Sequence, residues 1–171
     1  MNERTGIITM KRNPLTLVGN EVKVGDRAPD FEALGSDLSA VPFSSFRGKV
    51  CILSSVPSLD TPICDRQTRR FNEEAAGLGR DVQILTLSMD LPFAQKRWCG
   101  AAGITAVLTL SDHRDAAFGM AYGVLIKELR LLTRAVFVVD RKGIVQYAQI
   151  VKELTQEPDY KPVVDAVKKC L

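Results

Sequence analysis

Residues 50–88 read VCILSSVPSLDTPICDRQTRRFNEEAAGLGRDVQILTLS. The short, mostly apolar runs at 50–56 and 82–88 have the length and composition of buried β-strands. Between them, residues 62–78 have the spacing of an amphipathic helix, which Gly79 would close. A strand, a helix and a second strand in this order indicate an α/β protein whose sheet is covered by helices.

The same alternation extends along the rest of the chain. The further predicted elements are strands at 7–10, 15–18, 107–110, 135–139 and 144–150 and helices at 92–99, 115–122 and 160–170. A break at Asn13-Pro14 separates the first two strands, and residues 141–143 supply the turn of a hairpin. This order predicts a thioredoxin-like α/β fold, with a central mixed sheet flanked by helices and an N-terminal β-hairpin extension. We expect residues 1–171 to form a single domain.

The composition argues against several classes of protein. Hydrophobic residues make up 46% of the chain and charged residues 25%, which is ordinary for a globular protein. The net charge is only +3, and the 23 basic residues are spread along the sequence. This argues against nucleic acid or an anionic membrane as the main partner. The sequence contains no secretory signal and no membrane-spanning run, so we expect a cytoplasmic protein.

Four cysteines and one histidine remain to be explained. In a reducing compartment, Cys51, Cys64, Cys99 and Cys170 are not expected to form a static disulfide framework. A Cys–His protease or a Cys/His zinc site would have to use His113. No two cysteines lie within four residues of each other, so the usual zinc spacing is missing. We expect His113 to be an exposed loop residue.

Cys64 lies in the first turn of the predicted helix. Thr61 suits the N-cap position and Pro62 the first helical position, and Cys64 is then on the face that packs toward the sheet. The thiolate is the nucleophilic form of a cysteine, and an ordinary cysteine needs roughly 3 kcal/mol of stabilisation to be mostly thiolate near neutral pH. A helix N-terminus supplies about 0.3–1 kcal/mol, or ~2 when partly buried. A fixed cation is therefore expected near Cys64, and the neighbouring Asp65 increases the need for it.

A distant arginine is the best candidate for this cation. The arginines that follow Cys64 in its own helix are carried away from the N-terminal end. Arg134 directly precedes the apolar strand at 135–139, where its guanidinium could be anchored at a sheet end and stabilise both a thiolate and a departing anion. Two plainer interpretations stay open, in which Thr61 is a simple helix cap and Arg134 belongs to a surface ion pair.

The second cysteine of interest, Cys99, ends the helix predicted at 92–99. A disulfide between Cys64 and Cys99 would close a loop of about 36 residues, worth roughly 4 kcal/mol in the chain-entropy model. The two α-carbons must come within roughly 7 Å, and cysteines on separate helices seldom start so close, so we predict local unwinding on oxidation. Cys51 is expected to be buried and inert within its strand, and Cys170 to be a partly exposed spectator.

At these residues the sequence resembles the thiol peroxidases, an atypical two-cysteine group of the peroxiredoxins. The resemblance rests on a Pro-x-x-x-Thr-x-x-Cys motif at 57–64, on SMDLPFAQ at 88–95 with Cys99 after it, and on RAVFVVD at 134–140. The shorter matches are LSD at 110–112, FG at 118–119, YGV at 122–124 and EPDY at 157–160. Together these motifs cover nearly the whole chain, and their combination is highly specific.

The resemblance implies a homodimeric peroxidase with a thioredoxin-like fold and with no metal or organic cofactor. Cys64 would be the peroxidatic cysteine, which becomes a sulfenic acid, and Cys99 the resolving cysteine of the same chain. Thr61 and Arg134 match the positions that activate the thiolate and the peroxide, and Pro57 matches the position that shields the pocket. Hydrogen peroxide and alkyl or lipid hydroperoxides would be the substrates. Thioredoxin would reduce the Cys64–Cys99 disulfide.

Two other functions agree with a reactive pair of thiols. A thiol–disulfide oxidoreductase acting on proteins is disfavoured, because the sequence contains no Cys-x-x-Cys pair. A redox sensor would use a Cys64–Cys99 disulfide to change the binding of a partner protein. Catalytic consumption of peroxide in a purified system separates an enzyme from a sensor, although the two roles could coexist.

Overall fold

The computed structural model describes residues 2–171, which form eleven strands and four α-helices. The strands are β1 (Glu3–Met10), β2 (Asn13–Val18), β3 (Glu32–Leu34), β4 (Ala40–Pro42), β5 (Val50–Ser55), β6 (Val82–Ser88), β7 (Val107–Ser111), β8 (Leu125–Ile126), β9 (Leu131–Leu132), β10 (Ala135–Val139) and β11 (Val145–Ile150). The helices are α1 (Pro62–Leu78), α2 (Pro92–Ala102), α3 (Ala117–Ala121) and α4 (Tyr160–Cys170), and Phe43–Phe46 adds a turn of 3-10 helix. Within residues 2–171, no helix has both the length and the apolar character needed to cross a membrane.

The central sheet has seven strands in the order β11-β10-β5-β6-β7-β3-β4. Strands β5, β6 and β7 are parallel, whereas β10 pairs antiparallel with both β5 and β11. A parallel pair needs a crossover connection, and α1 and α2 supply the two crossovers. The predicted mixed sheet and the predicted hairpin of β10 and β11 are confirmed.

Both faces of the central sheet are covered by apolar side chains. Successive strand residues point to opposite faces, so neighbours in β5 enter different hydrophobic clusters. Ile52 belongs to the cluster that includes Phe71 of α1 and Val163 of α4. Leu53 belongs to the cluster on the other face, together with Phe118 of α3. Every residue of β5 is buried, so the chain leaves this strand at a fixed point in the middle of the sheet.

The predicted N-terminal hairpin is confirmed and forms part of a second sheet, in the order β1-β2-β8-β9. The predicted break at Asn13-Pro14 is wrong, because both residues pair with β1. The turn lies instead at Lys11 and Arg12, whose φ angles are 49 and 69°. Proline is compatible with the start of a strand, where its missing N–H costs little. Strands β8 and β9, with two residues each, are too short to show a period in the sequence.

Two further local predictions need correction around α3. The helix begins at Ala117 rather than at residue 115, because residues 113–115 form a turn. The buried Asp112 carboxylate accepts hydrogen bonds from the backbone N–H groups of Phe118 and Gly119 at 3.0 and 2.8 Å, which fixes this start. His113 lies in the turn and is half-buried, not exposed as predicted.

Candidate active site

The segment that follows β5 carries the residues of the Pro-x-x-x-Thr-x-x-Cys motif to one end of the sheet. Pro57 is buried directly after this strand. Asp90, which follows the neighbouring β6, accepts hydrogen bonds from Ser58 Oγ at 2.7 Å and from the N–H of Leu59 at 2.8 Å. The Ser88 hydroxyl donates to the same carboxylate at 2.8 Å. The segment is therefore anchored to the end of β6, and the start of α1 is held in place.

Cys64 is fully buried in the first turn of α1. Thr61 occupies the N-cap position as predicted, but its side chain does not cap the helix. Its hydroxyl lies 2.6 Å from Cys64 Sγ and 3.0 Å from the carbonyl oxygen of Ser58. A hydroxyl has one proton to donate, so it can donate to the sulfur when Cys64 is a thiolate. Thr61 is therefore not a simple helix cap.

Arg134 places its guanidinium against the same sulfur. Its Nη2 lies 3.5 Å from Cys64 Sγ, and the residue is only 2% exposed. The nine ion pairs formed by residues 2–171 do not include Arg134, so the alternative of a surface ion pair is wrong. A buried cation without a carboxylate partner is costly. A thiolate at Cys64 is the anion best placed to compensate it.

Buried acceptors fix the direction of the Arg134 side chain. The carbonyl oxygen of Leu154 accepts from both Nε at 3.1 Å and Nη2 at 2.9 Å. Gln67 Oε1 accepts from Nη1 at 2.8 Å, and its Nε2 donates to Ser54 Oγ at 2.7 Å. Because the planar guanidinium is held on several edges, its position does not depend on the thiol alone.

The N-terminal hairpin supports Arg134 from a distance. The backbone of Thr9 donates to Lys152 O at 2.8 Å and accepts from the N–H of Leu154 at 2.9 Å. The Glu153 carboxylate accepts a hydrogen bond from the Thr9 hydroxyl and another, at 2.6 Å, from the N–H of Lys11. These bonds, with the Thr9 hydroxyl contributing most, lower the pKa of Glu153 to about 2. The hairpin thus holds the loop whose Leu154 carbonyl orients the guanidinium.

The arginines of α1 take no part in this contact, as predicted. They pair with carboxylates instead: Arg66 with Glu157 at 3.9 Å, Arg69 with Asp65 at 2.8 Å and Arg70 with Glu74 at 3.1 Å. Asp65 also accepts a hydrogen bond from Trp98 Nε1 at 2.9 Å. The negative charge beside Cys64 is therefore partly compensated by its own neighbours.

Cys99 is half-buried in α2, and its Sγ lies 3.6 Å from Thr109 Oγ1. It packs against the hydrophobic cluster that covers one sheet face, whereas Cys64 belongs to a separate small cluster with Val56. Trp98 packs against both clusters. All four cysteines are free thiols. Trp98 therefore links the surroundings of Cys64 to those of Cys99.

Comparison with known proteins places this chain in a family. The Redoxin family model matches residues 23–164. The chain is 58% identical over 164 residues to a thiol peroxidase of Halalkalibacterium halodurans, covering 96% of this chain and 98% of that protein. It is 60% identical to a thiol peroxidase of Bacillus subtilis, and the match covers 94% of this chain and 96% of that protein. The chain is a thiol peroxidase of the Redoxin family. A solved peroxiredoxin-like protein from Aquifex aeolicus has a TM-score of 0.91 at 44% identity, over 98% of this chain and 99% of that one.

Several groups that support the site of this thiol peroxidase were not singled out from sequence. Gln67 lies on the buried face of α1, and a polar residue on the buried face of a helix is itself a signal. Asp90 appeared within a motif without a role. The hydrogen bond between Asp65 and Trp98 left no sequence signal. Leu154 contributes a backbone carbonyl, which no side-chain pattern could indicate.

The other two cysteines of the thiol peroxidase lie outside this site. Cys51 is buried in β5 as predicted, and burial raises the pKa of its thiol to about 11. Cys170 is half-buried at the end of α4, where burial also raises the pKa of the thiol. Within residues 2–171, no group of three or more histidine, cysteine, aspartate or glutamate side chains is arranged to hold a metal ion.

Proposed function

We propose that this thiol peroxidase reduces hydroperoxides with Cys64 as the peroxidatic cysteine and Cys99 as the resolving cysteine. The observation that carries the proposal is the buried guanidinium of Arg134, 3.5 Å from Cys64 Sγ and without a carboxylate partner among residues 2–171. This arrangement places a fixed positive charge beside the sulfur that would attack the peroxide. It also offers positive charge where a departing oxygen would become negative.

In the first step, the Cys64 thiolate attacks one oxygen of the hydroperoxide and the O–O bond breaks. The sulfur becomes a sulfenic acid, and the other oxygen departs as an alkoxide, or as hydroxide from hydrogen peroxide. That anion takes up a proton to give the alcohol or water. The Thr61 hydroxyl orients the peroxide, Arg134 stabilises the developing charge, and Pro57 shields the pocket.

In the second step, the Cys99 thiol condenses with the sulfenic acid. An S–S bond forms, and the sulfenic oxygen leaves as water. The thioredoxin dithiol then reduces the intrachain disulfide by exchange, which restores both thiols and leaves thioredoxin oxidised. Each turnover converts one hydroperoxide and one reduced thioredoxin into an alcohol, a water molecule and one oxidised thioredoxin.

The surroundings of Cys64 support organic hydroperoxides as substrates beside hydrogen peroxide. The thiol packs with the buried Val56 and Leu59 and with the half-buried Trp98, whose ring can contact an alkyl chain. We therefore propose that alkyl and lipid hydroperoxides bind with the peroxide group at Cys64 and the carbon chain against this cluster.

We also propose that the enzyme works as a homodimer in the cytoplasm, as the family resemblance suggests. Leu91 and Phe93, at the start of α2, are 51% and 64% exposed and offer an apolar surface for a second copy. Light scattering coupled to gel filtration measures the mass in solution, and a monomer throughout the micromolar range contradicts the dimer.

The direct test is NADPH consumption in the presence of thioredoxin, thioredoxin reductase and either hydrogen peroxide or cumene hydroperoxide. We expect sustained turnover by the wild-type protein and none by Cys64→Ser. Cys99→Ser should reduce one equivalent of peroxide and then stop. Cys51→Ser is the matched control and should keep wild-type turnover. Sustained turnover by Cys64→Ser would overturn the assignment of the peroxidatic cysteine. A peroxide-induced Cys64–Cys99 disulfide without NADPH consumption would contradict thioredoxin as the reductant.

A further inference from the structure

A concave site lies at the opposite end of the central sheet from Cys64. Strand β5 connects the two, because Cys51 is at its start and Cys64 follows its end. The cavity has a volume of about 180 Å³. Its apolar walls are formed by Cys51 and Val139, which are both 2% exposed, and by the half-buried rings of Phe43 and Phe46. None of these residues belongs to the proposed catalytic machinery.

Basic side chains surround this cavity. They are Arg27, Arg47, Lys49, Arg141 and Lys142, and all five are exposed residues at its rim. Among residues 2–171, only Arg141 of the five has an ion-pair partner, Asp81 at 3.3 Å. The other four form none of the nine ion pairs found in that part of the chain.

The two carboxylates of the cavity are already engaged by other donors. Asp140 accepts hydrogen bonds from two backbone N–H groups, at 2.9 and 3.0 Å, and from Gln146 Nε2 at 2.8 Å. Asp30 accepts from the N–H of Ser44 at 2.8 Å. They shape the turn and the 3-10 helix around the cavity and do not pair with the basic side chains at its rim.

Positive charge exceeds negative charge at this cavity. Its lining contains five basic residues and two aspartates, and Asp81 pairs with Arg141 from outside the lining. Five positive and three negative charges leave a local excess of +2. The five basic residues lie on separate segments of the sequence, and the fold brings them together. A concave, positively charged site with low-dielectric walls raises the local concentration of anions.

We propose that this cavity binds a small organic anion, with a phosphate or carboxylate at the basic rim and a compact apolar body against Phe43 and Phe46. The volume equals roughly six water molecules, which is smaller than the cavities that hold drug-sized ligands. The ligand is therefore about the size of a single ring or a short carbon chain. The cavity shares no residue with the cluster around Cys64, so a ligand here does not contact that thiol.

Isothermal titration calorimetry with phenyl phosphate tests the site, with inorganic phosphate and phenol as probes that each lack one half of the ligand. We expect phenyl phosphate to bind more tightly than either. The variant Arg47→Gln/Lys49→Gln should weaken binding about fivefold or more, as expected for the loss of two partly exposed charge contacts. The variant Lys168→Gln/Lys169→Gln makes the same change of charge on α4, outside the cavity, and should bind as the wild type does.

Peroxidase turnover should be unchanged in both variants, which also confirms that they are folded. Equal weakening in the two variants would show a diffuse charge effect and overturn the site. Phenyl phosphate that binds no better than inorganic phosphate would overturn the apolar half of the proposal. The absence of binding at millimolar phenyl phosphate would overturn the whole proposal.

Discussion

The hydrogen bond from Trp98 to Asp65 joins the residues next to Cys64 and Cys99, the two cysteines of the proposed mechanism. Asp65 follows Cys64 on α1, and Trp98 precedes Cys99 on α2. Arg69 strengthens the link, because it pairs with Asp65, donates to the carbonyl oxygen of Ala102 at 3.3 Å and lies 5.7 Å from the centre of the Trp98 ring. We predict that this contact must break before the disulfide can form, and that it slows this step.

The variant Trp98→Phe removes the N–H donor and keeps an aromatic ring in the cluster around Cys64. A hydrogen bond to a charged group contributes about 1.5–3 kcal/mol. The loss here should be smaller, about 1 kcal/mol, because Asp65 is partly exposed and keeps Arg69. If α1 and α2 must open before Cys99 condenses with the Cys64 sulfenic acid, the loss of about 1 kcal/mol makes opening easier. Disulfide formation should then be roughly fivefold faster.

Rapid mixing with one equivalent of peroxide, followed by acid quenching, alkylation and mass spectrometry, measures the lifetime of the sulfenic acid. We expect this lifetime to fall about fivefold in Trp98→Phe, and the sulfinic acid formed at high peroxide to fall with it. Arg97→Lys, an exposed change on the same helix, is the matched control. The same variant in a Cys99→Ser background isolates the peroxide step. An unchanged or longer sulfenic acid lifetime would refute the reasoning.

Three other changes probe the site and the scaffold. Arg134→Lys keeps the charge but cannot reproduce the contacts to Leu154 and Gln67. In stopped-flow competition assays, oxidation of Cys64 should therefore slow by about a hundredfold. The control variant Arg66→Lys should keep the wild-type rate. Gln67→Leu removes the side-chain oxygen that accepts a hydrogen bond from Arg134. The rate of Cys64 oxidation, measured by rapid mixing, should fall about tenfold. Burial raises the pKa of Asp112 to about 6, above its ordinary 3.8, so the folded state holds this proton more tightly than the unfolded chain does. The resulting stability is fully present below about pH 4 and is lost as the pH rises through 6. In urea titrations the free energy of unfolding of wild type relative to Asp112→Asn should therefore fall by roughly 2 kcal/mol between pH 4 and 7. An unchanged difference contradicts the assignment.

The sequence alone determined the secondary-structure elements whose signals lie within a short stretch of the chain. Strand β5 and helix α1 follow from an apolar run, a helical period and the proline at position 62, and both agree with the structure. The position of Cys64 in the first helical turn follows from the same signals. The proposed pairing of Cys64 with Cys99 rests on the family resemblance, because no local pattern could supply it.

Only the tertiary structure decided which groups meet Cys64. Arg134 is 70 positions away, and its distance to the sulfur depends on the pairing of β5 with β10. The Leu154 carbonyl that orients it is a backbone group, and the hairpin that holds Leu154 is remote in sequence. The five basic residues around the cavity beside Cys51 are also spread over the sequence, and they meet only when the chain is folded. Sequence periodicity records the local direction of side chains, whereas long-range contacts come from strand pairing and packing, which leave no periodic signal.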